Sequence, residues 1–258
     1  AGVLFKTIIV IAVPVCLGSL AVNFSGIIDL MTVTGRLAEV MQTAPQALLD
    51  CYGANIPEAE IINNSVHNYL YGAYSGKAVV IANLVPALTA GLAVSALPVV
   101  AESFAQGNRL RTQRSVQMVL RITTIVCIPA GLGISALAQE VCELFFGYNS
   151  EVAIGAPLLQ VLAIASIFIA LTAAINSLLQ AVGRVSLPVK LILIGSLVKL
   201  AMNYILVGIP QINIQAAPWS TLACCLLVTV LSLIALRQSV GELGVVSVFV
   251  KPLLAGLL

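Results

Sequence analysis

LYGAYSGKAVVIANLVPALTAGLAVSALPVVAESFAQGNR, from Leu70 to Arg109, decides how the rest of the chain is read. Its part from Ala78 to Ala101 carries no charge and is rich in Ala, Val and Leu. That is long enough to cross a bilayer, whose hydrocarbon core of about 30 Å needs roughly 20 apolar residues. Two prolines (Pro86, Pro98) and three glycines (Gly72, Gly76, Gly91) lie in or beside it. Soluble helices seldom tolerate that density of breakers. A membrane helix does, because neighbouring helices and Ser/Thr side chains satisfy the freed carbonyls. Lys77 stands at the outer third of the span and Asn83 inside it. Polar groups at such depth are costly, so each either pairs, snorkels or lines a hydrated cavity.

Composition widens this local reading to the whole chain. Sixty per cent of the 258 residues are hydrophobic, 9% are charged, and mean hydropathy is +1.09. A soluble domain carries roughly 25% charged residues, so the expected class is an all-α integral membrane protein. The net charge of +2 is too small to point to a nucleic-acid partner. The six cysteines fit no zinc or CxxC spacing, and no cofactor or metal is expected. A Cys51–Cys142 disulfide is conceivable, and two unpaired thiols are the simpler expectation.

Six spans are expected, at about Leu4–Leu30, Leu70–Ala101, Val116–Leu137, Ala153–Ala181, Leu187–Val207 and Ala216–Leu236. A seventh apolar run begins near Val245. Residues 1–240 thus form one transmembrane lobe, and 241–258 hold the start of a further helix. Both ends of the sequence read as lying inside apolar runs, as expected for part of a longer protein. Between the first two spans, residues 32–68 form the longest polar segment, with a surface helix expected from Gly35 to Leu49. Gln139–Tyr148 sets Glu140 and Glu143 beside Leu144, Phe145 and Phe146, an interfacial pattern.

Charge placement orients these spans. Alternation puts Lys6, Arg109, Arg111, Arg114, Arg184, Lys190, Arg237 and Lys251 on one side and Arg36 alone on the other. Lys77, Arg121 and Lys199 fall within or near spans. Short basic loops stay cytoplasmic. Loop 102–115 is therefore expected inside, loop 32–68 outside, in a plasma membrane.

No GxSxG, HExxH, P-loop or dinucleotide motif is present, and the single histidine, His67, has no partner at metal spacing. An enzyme is not expected. Polar groups at membrane depth are the better lead, namely Asp29, Lys77, Asn83, Arg121, Asn176, Lys199 and Asn203; of these Asp29, Lys77, Asn83, Lys199 and Asn203 are the candidates for a substrate cavity. Lys199 and Asn203 are four apart and share a helix face. Arg121 sits close enough to a loop to snorkel. A cation in a cavity would suit an anionic headgroup such as a pyrophosphate.

The residues Leu70-Tyr71-Gly72, Gly76, Asn83-Leu84, Leu88-Thr89, Leu92-Ala93, Ser95, Pro98, Glu102 and Gly107-Asn108 also carry a resemblance. So do Gly183-Arg184, Leu187-Pro188-Val189, Ile194-Gly195, Val198-Lys199 and Asn203-Tyr204. Together they resemble the C-terminal half of flippases in the multidrug/oligosaccharidyl-lipid/polysaccharide exporter superfamily, nearest the stage V sporulation protein B branch. The resemblance implies helices seven to twelve of a fourteen-helix fold, partnered by an N-terminal lobe outside this sequence. It implies alternating-access movement of an anionic lipid-linked oligosaccharide or polysaccharide precursor, for cell-envelope or spore-cortex peptidoglycan assembly. Two departures stand out: the external loop is long for the branch, and Gln215-Ala216-Ala217 replaces Gly-Ala-Ala. A cation-coupled multidrug antiporter and a non-transporting component of glycan assembly are the alternatives. The former would need an intramembrane carboxylate, for which Asp29 is the one candidate.

Overall fold

The computed structural model describes residues 26–243, apart from the side chain of Ala93. Among them all regular structure is helical. Helix α1 covers residues 26–43. Short helices α2 (Pro45–Tyr52), α3 (Glu58–Ile62) and α4 (Val66–Ala73) follow. A π-helical turn (Tyr74–Ala78) and α5 (Val79–Ala82) lead into α6 (Leu84–Ala105). Then come α7 (Arg109–Ala136), α8 (Ala138–Phe146), α9 (Ser150–Ala181), α10 (Leu187–Leu206) and α11 (Ala216–Val240).

Among the described residues, five helical stretches are long and apolar enough to cross a membrane: Val66–Leu92, Arg109–Ala136, Ser150–Ala181, Leu187–Leu206 and Asn213–Val240. The first expected span lies largely outside the described residues, and so does the run from Val245. The last four stretches coincide with expected spans to within a few residues, Arg109–Ala136 alone beginning two turns earlier. The organising stretch differs from expectation. Its helix begins at Val66, about one turn before the expected Leu70, and is interrupted at Tyr74–Ala78 and at Asn83.

The expected external loop is also more ordered than its polarity implied. Helix α1 runs on to residue 43 because Val33, Leu37 and Val40 recur at helical spacing and are buried. The remaining segment is tied down by Tyr52, whose hydroxyl donates to Asn213 Oδ1 at 2.9 Å. Burial pushes this phenol up from its usual range, which keeps it a donor. Cys51 and Cys142 are both free thiols, the first exposed and the second buried.

Helix α9 is the axis of the lobe. Asn149 caps it, accepting from the Val152 N–H at 2.9 Å, with Glu151 in the first turn. It packs against α6, α7 and α11 and contributes to all three hydrophobic clusters. At one end Val33, Leu37, Leu70, Leu159 and Ile214 pack together. In the middle, Cys127 and Ile128 meet Ile167 and Leu171. At the other end Val100, Leu120, Leu179 and Leu236 do so.

These clusters settle which loops share an end. The α6–α7 and α9–α10 connections and the end of α11 all gather at the last cluster, where Gln113 donates to the Glu242 carbonyl. That end exposes Arg109, Arg111, Arg114, Arg184, Lys190 and Arg237 against Glu102 and Glu242. The opposite end carries Glu39, Asp50, Glu58, Glu60, Glu140, Glu143 and Glu151. On α8, at this acidic end, Leu144 and Phe145 are exposed, as an interfacial segment requires.

Close approach of the helices depends on small residues. A Cβ on Gly131 of α7 would stand 2.9 Å from the Ala163 carbonyl of α9 and closer still to Ile167. One on Gly91 would meet nothing within 4 Å. Gly131→Leu is therefore expected to cost about 1–3 kcal/mol through overpacking, read as a lower thermal midpoint in detergent. Gly91→Leu is the control; equal midpoints for the two variants would refute the α7–α9 contact.

Candidate functional site

Asp29 lies on α1, and Lys199 and Asn203 lie one turn apart on α10. The fold brings all three together. Lys199 Nζ is 2.6 Å from Asp29 Oδ2, and Asn203 Nδ2 donates to Asp29 Oδ1 at 2.9 Å. Asp29 is 7% exposed, Lys199 6% and Asn203 0%. Two charges at this burial persist only as a pair, since desolvating either alone costs several kcal/mol. Asn203 completes the arrangement: its Oδ1 accepts from the Ser220 hydroxyl of α11. Its Nδ2 also reaches Thr32 Oγ1 at 3.4 Å. One polar cluster thereby joins α1, α10 and α11.

A cavity of about 440 Å³ opens beside this cluster. Asp29 and Lys199 form part of its wall, with Tyr74, Ser196, Thr221 and the Cys224–Cys225 pair. Thr221 donates to the Ala217 carbonyl at 3.0 Å, so the 3.4 Å contact with Tyr74 has the phenol as donor. Tyr74 begins the π-helical turn; such turns add a residue to a helix and re-aim its side chains, often at functional sites. Elsewhere the wall is mainly apolar, from Val79, Leu162, Ile169, Ile192 and Val228. Asn83, Asn176 and Thr172 add neutral polar groups.

Of the five residues singled out from the sequence, Asp29, Lys199 and Asn203 thus form one cluster, and Asn83 lines the adjoining cavity. Lys77 does not line it. Its ammonium pairs with Glu151 Oε2 at 3.1 Å and sits 4.4 Å from the Phe146 ring centroid, near the start of α9. Arg121 is exposed on α7, consistent with snorkelling. Sequence reasoning did not single out Tyr74, Ser220, Thr221 or the two cysteines. Hydroxyls and thiols are too common in apolar helices to stand out before their partners are known.

Chemically, the wall is neutral overall. The Lys199 charge is matched by Asp29 at contact distance, so an incoming anion has to compete with a carboxylate and a cation with an ammonium. What the cavity offers without such exchange is apolar surface and hydrogen bonds. Among the described residues no group of three or more His, Cys, Asp or Glu side chains could hold a metal ion.

The MatE family model matches residues 73–205, just over half of the chain. Lipid II flippase MurJ of Bacillus subtilis (strain 168) is 26% identical over 140 residues, 54% of this chain and 25% of the flippase. Among solved structures, the fold is similar to a MOP superfamily transporter from Pyrococcus furiosus Vc1 (DSM3638). The TM-score is 0.69 at 14% identity, over 98% of this chain and 51% of that one. That transporter is described as having a binding pocket of reverse polarity that suggests a different function. The chain spans about half the length of the solved transporter, and its match covers a quarter of the curated flippase.

Removing one partner of a buried ion pair leaves the other uncompensated, which costs about 3–5 kcal/mol. Lys199→Met and Asp29→Asn are each expected to lower the thermal midpoint in detergent strongly. The Asp29→Asn/Lys199→Gln double variant is expected to recover most of the loss, because amides can keep the hydrogen bonds without charge. A double variant no more stable than the worse single would show that the two charges do not depend on each other.

Proposed function

The chain belongs to the MatE family, and on that premise we propose that it is one lobe, the C-terminal one, of a bacterial plasma-membrane transporter. Its cargo is a lipid-linked oligosaccharide or polysaccharide precursor, flipped by alternating access for cell-envelope glycan assembly. The observation that carries this reading is the 440 Å³ cavity walled in part by Asp29 and Lys199, whose ion pair Asn203 braces from behind. Buried ionisable groups at membrane depth mark transport pathways.

The character of the wall favours a glycan-bearing amphiphile over a cationic drug. A multidrug antiporter requires a carboxylate open to protonation or cation binding. Asp29 is the acidic residue at this wall, and Lys199 already neutralises it at 2.6 Å. Apolar side chains interspersed with amides and hydroxyls match a lipid carrying uncharged polar groups. In this reading, a pyrophosphate reaching Lys199 must displace Asp29 from it, while Asn203 keeps its hydrogen bond to that carboxylate. The partner lobe is expected to supply further cationic contacts. The described relative named as a lipid II flippase supports a lipid-linked cargo.

Orientation follows from the two ends. The end exposing Arg109, Arg111, Arg114, Arg184, Lys190 and Arg237 faces the cytoplasm, and the acidic end with α2 and α3 faces outward. In a Cys51→Ser background, cysteines introduced at Glu58 and Arg184 should react oppositely with an impermeant maleimide in intact cells: the first labelled, the second protected. The reverse pattern would overturn the orientation.

The transport reading is tested with the protein carrying this chain in liposomes. A fluorescent undecaprenyl-diphosphate-linked disaccharide and the cationic dye ethidium are compared. Movement of the glycolipid, reduced at least tenfold by Asp29→Asn/Lys199→Gln, is the expected result. Transport of ethidium instead would establish the antiporter.

A further inference from the structure

Two asparagines line the cavity besides the ion pair. Asn83 comes from the junction of α5 and α6, and Asn176 from α9. Asn176 is half-buried, and its Oδ1 is buried without a hydrogen-bond partner among the described residues. Thr172, one turn before it on the same face of α9, also lines the cavity and is held 2.8 Å from Thr229 Oγ1.

An unsatisfied amide at this depth is a standing cost, because a buried polar atom without a partner loses its hydration and gains nothing in return. Structural asparagines in this chain behave differently. Asn203 and Asn213 are fully buried and use their amides on named partners, Asp29, Ser220, Tyr52 and the Pro210 carbonyl. Packing does not account for Asn176 either, since leucine of similar size would serve an apolar helix face better. Asn83 stands in a break of its helix with an exposed side chain, so its amide is not committed to the fold.

We propose that Asn83 and Asn176 form a hydrogen-bonding subsite for a neutral, hydroxyl- or acetamido-bearing group of the transported ligand. Each amide presents two donors and an acceptor, which match a sugar ring's mixed donors and acceptors better than a phosphate, an acceptor alone. The ion pair and the amide pair then handle different parts of one amphiphile. Charge is met at Asp29–Lys199 and the uncharged sugar at Asn83–Asn176. This rests on the lipid-linked glycan reading above and assigns the specificity of the same cavity.

The test uses two short-chain probes, farnesyl diphosphate and farnesyl-diphosphoryl-N-acetylglucosamine. Each is titrated calorimetrically into the protein carrying this chain in lipid nanodiscs. Asn176→Leu and Asn83→Leu are each expected to weaken the glycosylated probe about tenfold, as loss of one or two ligand hydrogen bonds does. Binding of farnesyl diphosphate should change less than twofold. The thermal midpoint of Asn176→Leu should stay level or rise, because the substitution removes an unsatisfied buried group. A structural role for Asn176 would lower it instead. Equal losses for both probes, or none for either, would overturn the amide subsite while leaving the glycan reading intact. A wild-type protein that binds neither probe would overturn both.

Discussion

The contact between Lys199 and Asp29 is the constraint on which the lobe depends. Two charges taken this far from water cannot stand alone, so α1 and α10 must meet where these residues meet. Asn203 and Ser220 extend the requirement to α11 by using the remaining lone pairs and protons. A second contact reinforces it towards the acidic end, where the Arg36 guanidinium of α1 lies 4.4 Å from the Tyr204 ring centroid of α10 and pairs with Glu39. Apolar packing in a bilayer discriminates poorly between helix partners, because lipid tails are as apolar as leucine. Here a polar cluster supplies the missing specificity.

The cavity exists because the helices around this cluster are uneven. Gly131 and Gly195 let α7 meet α9, and α10 meet α11, at near-backbone distance. The second span does the opposite. Its π-helical turn and the break at Asn83 interrupt regular packing, and Gly155 of α9 sits against the turn, where a Cβ would be 3.1 Å from the Ala73 carbonyl. Tight seams beside an interrupted helix leave a space lined by Tyr74, Thr221 and the ion pair. The same neutral pairing that stabilises the lobe removes the net charge from that space, which shapes the ligand it can favour.

Much of this was legible in the chain itself. The runs at Ala153–Ala181, Leu187–Val207 and Ala216–Leu236 have few charges and clear polar borders, and the corresponding helices α9, α10 and α11 begin and end within a few residues of them. The residues from 32 to 43 were harder, because Arg36, Glu39 and Gln42 mask the buried face made by Val33, Leu37 and Val40. Lys77 and Lys199 are alike in sequence, each a lone cation in an apolar setting. One pairs with Glu151 and the other with Asp29, and no local signal distinguishes the two outcomes.

The sequence by itself determined the class of protein, the order of its long apolar helices, and the separation of basic from acidic connections. All of these follow from hydropathy, period and charge, which are properties of neighbours along the chain. Only the tertiary structure decided that Asp29 pairs with Lys199, that Asn203 joins them, and that Asn83 and Asn176 share a cavity while Lys77 lies apart. Asp29 and Lys199 are separated by 170 positions. Their meeting depends on how the helices pack, through small residues and an interrupted span, and no periodicity along one strand of sequence encodes that.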